Sequence, residues 1–276
     1  MAALRTERLA ATVGARVDGV DLDRFLYDEE LPEQTLAALE EHGALVFPGL
    51  HLDDKAQVEF SRKLGQVEKL GRGEFPEIFR VTLDPSINPA AAYLRGTFYW
   101  HIDGCTDEIP IMATMLSAHA VADQGGETEF ASTYQAYDDL TADEKARFSN
   151  LRVLHSVEAS MRLHVPDPKP EQVELWRKRP GKEQPLVWTH QSGRKSLVIG
   201  ATADHVVGMD VDDGRALLAA LLERATVPGR VYRHTWRVGD VVMWDNRGVL
   251  HRAAPYDPAS PRDMHRTTFA GNEPIQ

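Results

Sequence analysis

The chain has 276 residues, of which 42% are hydrophobic and 26% are charged, and its formal net charge is −11. This composition is typical of a soluble globular protein and excludes a low-complexity disordered chain. The acidic balance and the lack of a long basic run argue against a nucleic-acid-binding surface. We therefore expect a small-molecule partner and no nucleic acid.

Cysteine content and apolar runs indicate the compartment. Cys105 is the single cysteine, so no intramolecular disulfide can form, and we expect it to be a small buried residue. The first twenty residues have no continuous apolar segment of the signal-peptide type, and no stretch approaches the roughly 20 apolar residues of a membrane helix. The sequence therefore predicts a cytoplasmic protein that does not bind a membrane.

Two helices are predicted in the first quarter of the chain. "LPEQTLAALEEHG" has Pro32 near its start and Gly43 as its stop. "LDDKAQVEFSRKLG" has Asp53 as a cap and Gly65 as its stop. The short apolar run between them, "GALVFPGL", predicts a buried strand.

After residue 95 the chain is dominated by short segments rich in β-branched and aromatic residues. The strand candidates, separated by turn signals, are "FYWHID", "IMATMLSAHAV", "PLVWTH", "SLVIG", "RVYRHTW" and "VVMWD". "LTADEKARF", with Thr141 and Glu144 at capping-box spacing, and "DVDDGRALLAALLERA" predict helical insertions. The charged, proline-bearing segment 165–185 is interpreted as a surface excursion.

Helices followed by many short strands, without βαβ alternation, favour an antiparallel sandwich or barrel. We predict a mainly β fold with flanking helices, a double-stranded β-helix or jelly roll. Because no repeat or linker interrupts the chain, we expect a single domain over 1–276. It would have a helical N-terminal part at about 1–70 and a jelly-roll core at about 75–276 with helical insertions.

The segment "WHID" contains a possible metal-ligand pair. On a strand, His101 and Asp103 would point to the same face, either as ligands or as a hydrogen-bonded pair at a strand end. A mononuclear non-haem Fe(II) site needs two histidines and one carboxylate. His251 is the best third candidate, because a strand, a tight turn and a second strand in "GDVVMWDNRGVLH" would bring it back into the barrel.

Two arginines follow His251 on the next predicted strand. Arg262 and Arg266 are four residues apart and would lie on one face. An iron-chelating 2-oxo dicarboxylate leaves its distal carboxylate free, and arginine offers that group a planar bidentate fork. Two arginines on a late strand are also compatible with plain surface charges.

Two long motifs make the chain resemble the taurine dioxygenase / 2,4-dichlorophenoxyacetate dioxygenase family of Fe(II)/2-oxoglutarate-dependent enzymes. They are "WHIDGCTDEIPIMATMLSAHAVADQGGETEFAS" and "GDVVMWDNRGVLHRAAPYDPASPRDMHRTTFAG". The resemblance implies that His101, Asp103 and His251 are iron ligands and that Thr128 and Arg262 bind 2-oxoglutarate. Arg266 would be a second arginine near the co-substrate that can meet an anionic substrate. Trp244 would be an aromatic residue close to the metal, and it is equally compatible with plain core packing.

The resemblance also implies the reaction. Fe(II), 2-oxoglutarate and O2 would oxidise, most simply hydroxylate, a small anionic organic substrate, with succinate and CO2 as co-products. The carboxylate at Asp103 argues against the related halogenases, which carry a small residue there. Two alternatives remain: desaturation or isonitrile formation with the same cofactors, and a non-catalytic jelly-roll protein that binds a ligand. The family further implies a homo-oligomer, a dimer or a tetramer.

The substrate is the least defined feature. The segment "GQVEKLGRGEFPEIF" lacks the histidine that sulfonate binders carry, which favours an aryloxyalkanoate-like substrate over taurine. Thr97 and Tyr99 alternate with His101 on the predicted strand, so they would point toward the barrel interior. There they would line the substrate pocket with Arg266, although Tyr99 is equally compatible with core packing. The remaining histidines considered are expected to be structural or solvent-facing: His119, His155, His190 and His265.

Overall fold

The structure, a computed structural model, describes residues 4–276. The strands in this range are β1 (Thr6–Arg8), β2 (Ala15–Val17), β3 (Ala44–Phe47), β4 (Phe79–Val81), β5 (Ala113–Ala120), β6 (Thr128–Ser132), β7 (Arg152–His155), β8 (Lys182–Pro185), β9 (Val187–Thr189), β10 (Lys195–Leu197), β11 (Ala203–Val206), β12 (Val231–His234), β13 (Val241–Asp245), β14 (Val249–Ala253) and β15 (Asp263–Phe269). The α-helices are α1 (Leu22–Tyr27), α2 (Leu31–His42), α3 (Asp54–Leu64), α4 (Ala91–Leu94), α5 (Thr133–Asp138), α6 (Ala142–Phe148), α7 (Val157–Arg162), α8 (Pro170–Arg177) and α9 (Val211–Ala225).

Two sheets form the scaffold of the site. The large sheet has the order β1-β2-β3-β13-β5-β15-β4, and a three-stranded sheet has the order β12-β6-β14. Two smaller sheets, β11-β7-β8 and β10-β9, complete the strand set of residues 4–276. Only β2 and β3 pair in parallel among the described strands. The mainly β jelly roll with flanking helices, predicted from the sequence, is confirmed.

Strand alternation divides the core into layers. On β13, Val242 and Trp244 face the space between the two sheets, whereas Val241 and Met243 pack toward the N-terminal helices. Successive side chains of a strand point to opposite faces, so one strand serves both layers. The large sheet therefore separates an inner space, which holds the candidate site, from a layer formed by α1, α2 and α3.

Several local predictions are confirmed. Helix α2 ends at Gly43, which has a positive φ, and the Asp53 side chain accepts a hydrogen bond from Ala56 N at the start of α3. The capping box between Thr141 and Glu144 is present at the start of α6. These features depend on neighbouring residues, which is why the sequence alone reveals them.

Between α2 and α3 the predicted strand forms β3, and β1 and β2 also join the large sheet, so the N-terminal part contains strands as well as helices. Two predictions about local structure are wrong. Residues 97–99 do not belong to a strand, since a 3-10 helix occupies Arg95–Phe98. The segment 165–185 is not a plain surface excursion: it forms α8 and β8, and it buries Trp176.

None of the helices within residues 4–276 is long and apolar enough to cross a membrane. The organisation of 1–276 as a single domain stays a prediction.

Candidate active site

His101, Asp103 and His251 converge between the sheets. His251 lies on β14, and its backbone pairs with that of His101 through N–O hydrogen bonds of 2.9 and 3.0 Å. The Asp103 carboxylate lies 3.7 Å from His101 Nε2 and 3.8 Å from His251 Nε2. One ligand atom from each residue is within 4.8 Å of the other two, so the three could hold one metal ion.

Backbone contacts orient His101. Its Nδ1 lies 2.8 Å from the Tyr99 carbonyl oxygen. Donation of the Nδ1–H to that oxygen leaves the lone pair of Nε2 free, which is the usual arrangement of a metal-binding histidine. Gly200, with φ +120, passes close behind, where a Cβ would lie 2.8 Å from Trp100 O and 3.2 Å from His101 Cα. A side chain at position 200 would therefore displace the ligand.

The electrostatics of the triad suit a cation. Burial alone raises the pKa of the Asp103 carboxyl, but the charges that His251 and His101 carry when protonated, and the permanent charge of Arg266, lower that pKa below its usual range. Burial lowers the pKa of His251 to about 3, so its imidazole is neutral at physiological pH. Asp103 Oδ2 is buried without a hydrogen-bond donor among residues 4–276. A buried carboxylate oxygen without a partner is costly, and a metal ion would satisfy it.

A narrow inner pocket extends from the triad to Arg262. Its lining includes Thr128, Trp244, His251, Arg262 and Arg266. Arg262 is 2% exposed and stacks over the Tyr256 ring at 4.8 Å, with no ion-pair partner within the described part of the chain. A buried guanidinium without a carboxylate is a site for an anion.

Gly126 makes room for this arginine. Its φ is +75, and a Cβ there would lie 3.0 Å from Cδ and Nε of Arg262. The glycine of "GGETEF" therefore serves the packing of the guanidinium as well as the turn that leads into β6.

Thr128 and Trp244 also lie where the sequence predicts. The Thr128 hydroxyl lines the inner pocket and accepts a hydrogen bond of 2.9 Å from Trp236 Nε1. The Trp244 ring centroid is 4.8 Å from that of His251, so this tryptophan packs against a triad residue. Arg266 Nη1 is 3.7 Å from Asp103 Oδ2, which places the second arginine beside the triad.

A larger outer cavity of about 720 Å³ also borders the triad. His101, Asp103, Thr97 and Arg266 form its inner end. Apolar and aromatic side chains line its walls: Leu70, Phe79, Tyr93, Met161, Leu175 and Trp176. Two basic residues that follow α8, Lys178 and Arg179, also line the cavity.

Tyr99 does not line this cavity. Its hydroxyl donates a 2.6 Å hydrogen bond to Leu163 O, and its ring borders a separate cavity near Arg215. The expected alternation with His101 is absent because the chain turns in the 3-10 helix Arg95–Phe98. Tyr99 instead acts on His101 through its backbone carbonyl. Thr97 does line the outer cavity.

Sequence reasoning missed Trp176, Phe79 and Tyr93. The one available signal was a tryptophan inside an otherwise charged segment, "VELWRKR". Cys105 is buried, as expected, and burial raises the pKa of its thiol to about 12, so it is unreactive at neutral pH.

The four remaining histidines fall into two groups. His155 and His190 are buried and bonded to neighbouring side chains, at 2.9 Å to Thr202 Oγ1 and 2.8 Å to Ser196 Oγ. His119 and His265 stack on each other outside the inner space, with ring centroids 3.6 Å apart. The second group is not an isolated pair, because Asp54 joins it.

Known proteins are similar to this chain in amino-acid sequence. The family model "Taurine catabolism dioxygenase TauD, TfdA family" matches residues 5–268. The alpha-ketoglutarate-dependent 2,4-dichlorophenoxyacetate dioxygenase of Burkholderia sp. (strain RASC) is 37% identical, over 97% of this chain and 95% of the relative. The (S)-phenoxypropionate/alpha-ketoglutarate-dioxygenase of Sphingobium herbicidovorans is 34% identical, over 96% and 94%.

Solved structures agree with these relatives. The crystal structure of AAD-2 in complex with Mn(II) and N-oxalylglycine has a TM-score of 0.82 at 33% identity, covering 99% of both chains. A taurine dioxygenase from Burkholderia xenovorans has a TM-score of 0.79 at 27% identity, covering 99% of this chain and 93% of that one. The chain belongs to the TauD/TfdA family and is an Fe(II)/2-oxoglutarate-dependent dioxygenase.

Proposed function

We propose that this dioxygenase hydroxylates a small aryloxyalkanoate-like anion, with succinate and CO2 as co-products. One observation carries the proposal: the triad faces a cavity with aromatic walls and an arginine at its inner end. Aromatic walls suit an aryl ring, and the guanidinium suits a carboxylate. Two relatives named for phenoxy acids support the same class.

His101, Asp103 and His251 hold the iron in this proposal. Two imidazole nitrogens and one carboxylate are the ligand set of mononuclear non-haem Fe(II) oxygenases. When bound, the iron and 2-oxoglutarate supply the oxidation of a C–H bond by O2. The chain contributes the orientation of the ligands, since the Tyr99 carbonyl fixes the His101 ring and Arg266 keeps the Asp103 carboxylate ionised.

Arg262 and Thr128 bind the distal carboxylate of 2-oxoglutarate. Both side chains are buried and line the inner pocket together with His251. The Arg262 guanidinium and the distal carboxylate are both buried, so their attraction offsets the free-energy cost of removing each charge from water. Apolar neighbours such as Leu94 and Leu116 exclude water from the co-substrate.

Arg266 binds the carboxylate of the substrate. Its guanidinium lies over the Phe79 ring at 4.8 Å and lines both the inner pocket and the outer cavity. With its carboxylate bound there, the substrate would extend its aryl group toward Phe79, Tyr93 and Trp176. Thr97 borders the same space beside His101, so it would contact the substrate near the reacting carbon.

A succinate-release assay tests the proposal. Purified protein with Fe(II), ascorbate, 2-oxoglutarate and O2 should release succinate with aryloxyalkanoates faster than with sulfonates, alkyl sulfates or amino-acid-derived acids. Asp103→Ala should abolish the release. Equal rates with taurine and phenoxy acids would contradict the substrate class, and no succinate with any acid would favour a ligand-binding role.

Product analysis by mass spectrometry separates hydroxylation from the other outcomes. Hydroxylation at the ether carbon of a phenoxy acid gives an unstable hemiacetal, so we expect the free phenol. A desaturated acid or an isonitrile would contradict hydroxylation while leaving the cofactor assignment intact. The homo-oligomer implied by the family stays a prediction, which light scattering in solution would check.

A further inference from the structure

A second group of metal-ligand side chains lies on the opposite face of the large sheet from the active site. It consists of Asp54 in the first turn of α3, His119 on β5 and His265 on β15. Arg266 faces the inner space, so His265, the preceding residue of the same strand, faces α3. We name this group the outer cluster.

The donor atoms of the outer cluster are close together. His265 Nδ1 lies 2.5 Å from Asp54 Oδ1, and one ligand atom from each of the three residues is within 4.8 Å of the others. His265 Nε2 is also 3.6 Å from Asp263 Oδ2. His119 Nε2 is buried and has no hydrogen-bond partner among residues 4–276. A buried ring nitrogen beside a carboxylate needs an interaction partner, and a bound cation would be one.

The outer cluster has the features that mark the iron triad in the same structure. The two imidazole centroids are 3.6 Å apart in the outer cluster and 4.1 Å apart in the triad. In each group a carboxylate lies within 4 Å of an imidazole nitrogen, and at least one buried nitrogen or oxygen of the group has no hydrogen-bond partner in residues 4–276. The groups differ in ring angle, which is 18° in the outer cluster and 49° in the triad.

We propose that Asp54, His119 and His265 form a second metal site, which binds Zn²⁺. Zinc accepts imidazole nitrogen and carboxylate oxygen in tetrahedral geometry. Stacked rings direct their lone pairs along parallel lines, so one imidazole turns about its Cβ–Cγ bond when the ion binds. Asp263 or a water molecule supplies the fourth ligand.

The charges around the outer cluster are compatible with a divalent ion. Asp54 and Asp263 provide two negative charges, and Arg80, whose Nε is 2.8 Å from Asp263 Oδ1, neutralises one of them. Asp54 and His119 are partly exposed, so an ion can enter from solvent.

A bound ion would connect three elements that otherwise meet through hydrogen bonds. Ser61 of α3 contacts Thr267 of β15 at 2.8 Å, and Gln57 accepts a bond from Ser117 of β5 at 2.6 Å. Asp54 lies one helical turn before Gln57 on α3, so the outer cluster adjoins these hydrogen bonds. Strand β15 also carries Arg266, so the ion would brace the strand that supplies a substrate-facing arginine.

Zinc stoichiometry tests the proposal. Isothermal titration of full-length protein with Zn²⁺ alone, after removal of metal, should give two sites. His119→Ala should give one site, and the triad variant His101→Ala/His251→Ala should also keep one. His205→Ala is the matched control, because it removes an imidazole–carboxylate pair, with Asp204 at 3.1 Å, outside both groups. It should keep two sites.

Asp54→Asn provides a second variant that alters charge with little change of shape. It should weaken the outer site by ~tenfold or more while the triad still binds metal. Circular dichroism and melting curves confirm that each variant is folded, and Zn²⁺ should raise the melting temperature of the triad variant. Unchanged stoichiometry in His119→Ala, or no zinc bound by the folded triad variant, would overturn the proposal.

Discussion

The indole N–H of Trp236 donates a hydrogen bond of 2.9 Å to the hydroxyl oxygen of Thr128. An indole nitrogen can only donate, so it occupies an acceptor position of the hydroxyl and leaves the Thr128 O–H free to donate elsewhere. Thr128 lines the inner pocket, and His234 packs edge-on against Trp236 with ring centroids 4.6 Å apart. Trp236 is therefore placed to orient the hydroxyl toward a bound carboxylate.

We expect Trp236→Phe to weaken 2-oxoglutarate binding by about fivefold, since the Thr128 hydroxyl is no longer oriented and loses a hydrogen bond of ~1 kcal/mol to the bound carboxylate. Titration of the Mn(II)-loaded protein with 2-oxoglutarate measures this affinity without turnover. In a Thr128→Val background the same substitution should have little further effect, because the partner is already gone. Trp188→Phe is the control, since its indole nitrogen has no partner within residues 4–276. Additive losses in the double variant would contradict the coupling.

Arg262 is a buried cation, and its Cδ and Nε lie 3.0 Å from the position that a Cβ at residue 126 would take. Arg262→Gln should weaken 2-oxoglutarate binding by ~100-fold, because a buried charge-assisted pair is lost, while Arg262→Lys should retain part of the affinity. Gly126→Ala should also weaken binding, since its Cβ would push against Cδ and Nε of the arginine. Equal affinities of wild type and Arg262→Gln, measured by the same titration, would disprove the role of Arg262.

Trp176 gives the outer cavity an aromatic wall. We expect Trp176→Leu to raise KM for a phenoxy acid by about tenfold, because apolar contact area and ring packing are lost. The change in kcat should be small, since Trp176 supplies neither a metal ligand nor a contact to 2-oxoglutarate in the proposed function. Trp176→Phe should restore most of the affinity. If the affinity for short aliphatic acids falls by the same factor, the loss comes from disorder of α8 in the variant. Trp176 would then not recognise the aryl group of the substrate.

His155 makes the stability of the fold depend on pH. Burial lowers the pKa of its imidazole to about 4, against about 6.5 in the unfolded chain. Below pH 6.5 the unfolded chain therefore binds a proton that the folded protein does not, and the free energy of unfolding falls as pH falls. The loss approaches ~3 kcal/mol at pH 4.

Urea unfolding curves between pH 4 and 8 measure this dependence. His155→Gln should show a flatter pH profile than wild type below pH 6.5 and a parallel profile above it. His205→Gln, a substitution of a histidine outside the core, should follow the wild type. Identical slopes for His155→Gln and wild type would show that burial of this imidazole does not set the acid limit.

Predictions from the sequence succeeded where neighbouring residues decide the outcome. The stop at Gly43, the cap at Asp53 and the capping box at Thr141 involve contacts within four residues. The alternation predicted for 97–101 failed because a turn at Gly96 overrides the β preference of the aromatic residues. Trp176 was missed because its partners lie on other elements of the fold.

The sequence by itself determined the family and the flanking helices, and it predicted the triad residues, because long motifs and local caps carry this information. Only the tertiary structure decided which side chains meet. Asp54 reaches His119 and His265 because β5 pairs with β15 and α3 packs on that face, and Thr128 meets Trp236 because β6 pairs with β12. Sheet register and packing bring together residues that are distant in the chain, and the local sequence does not fix either of them.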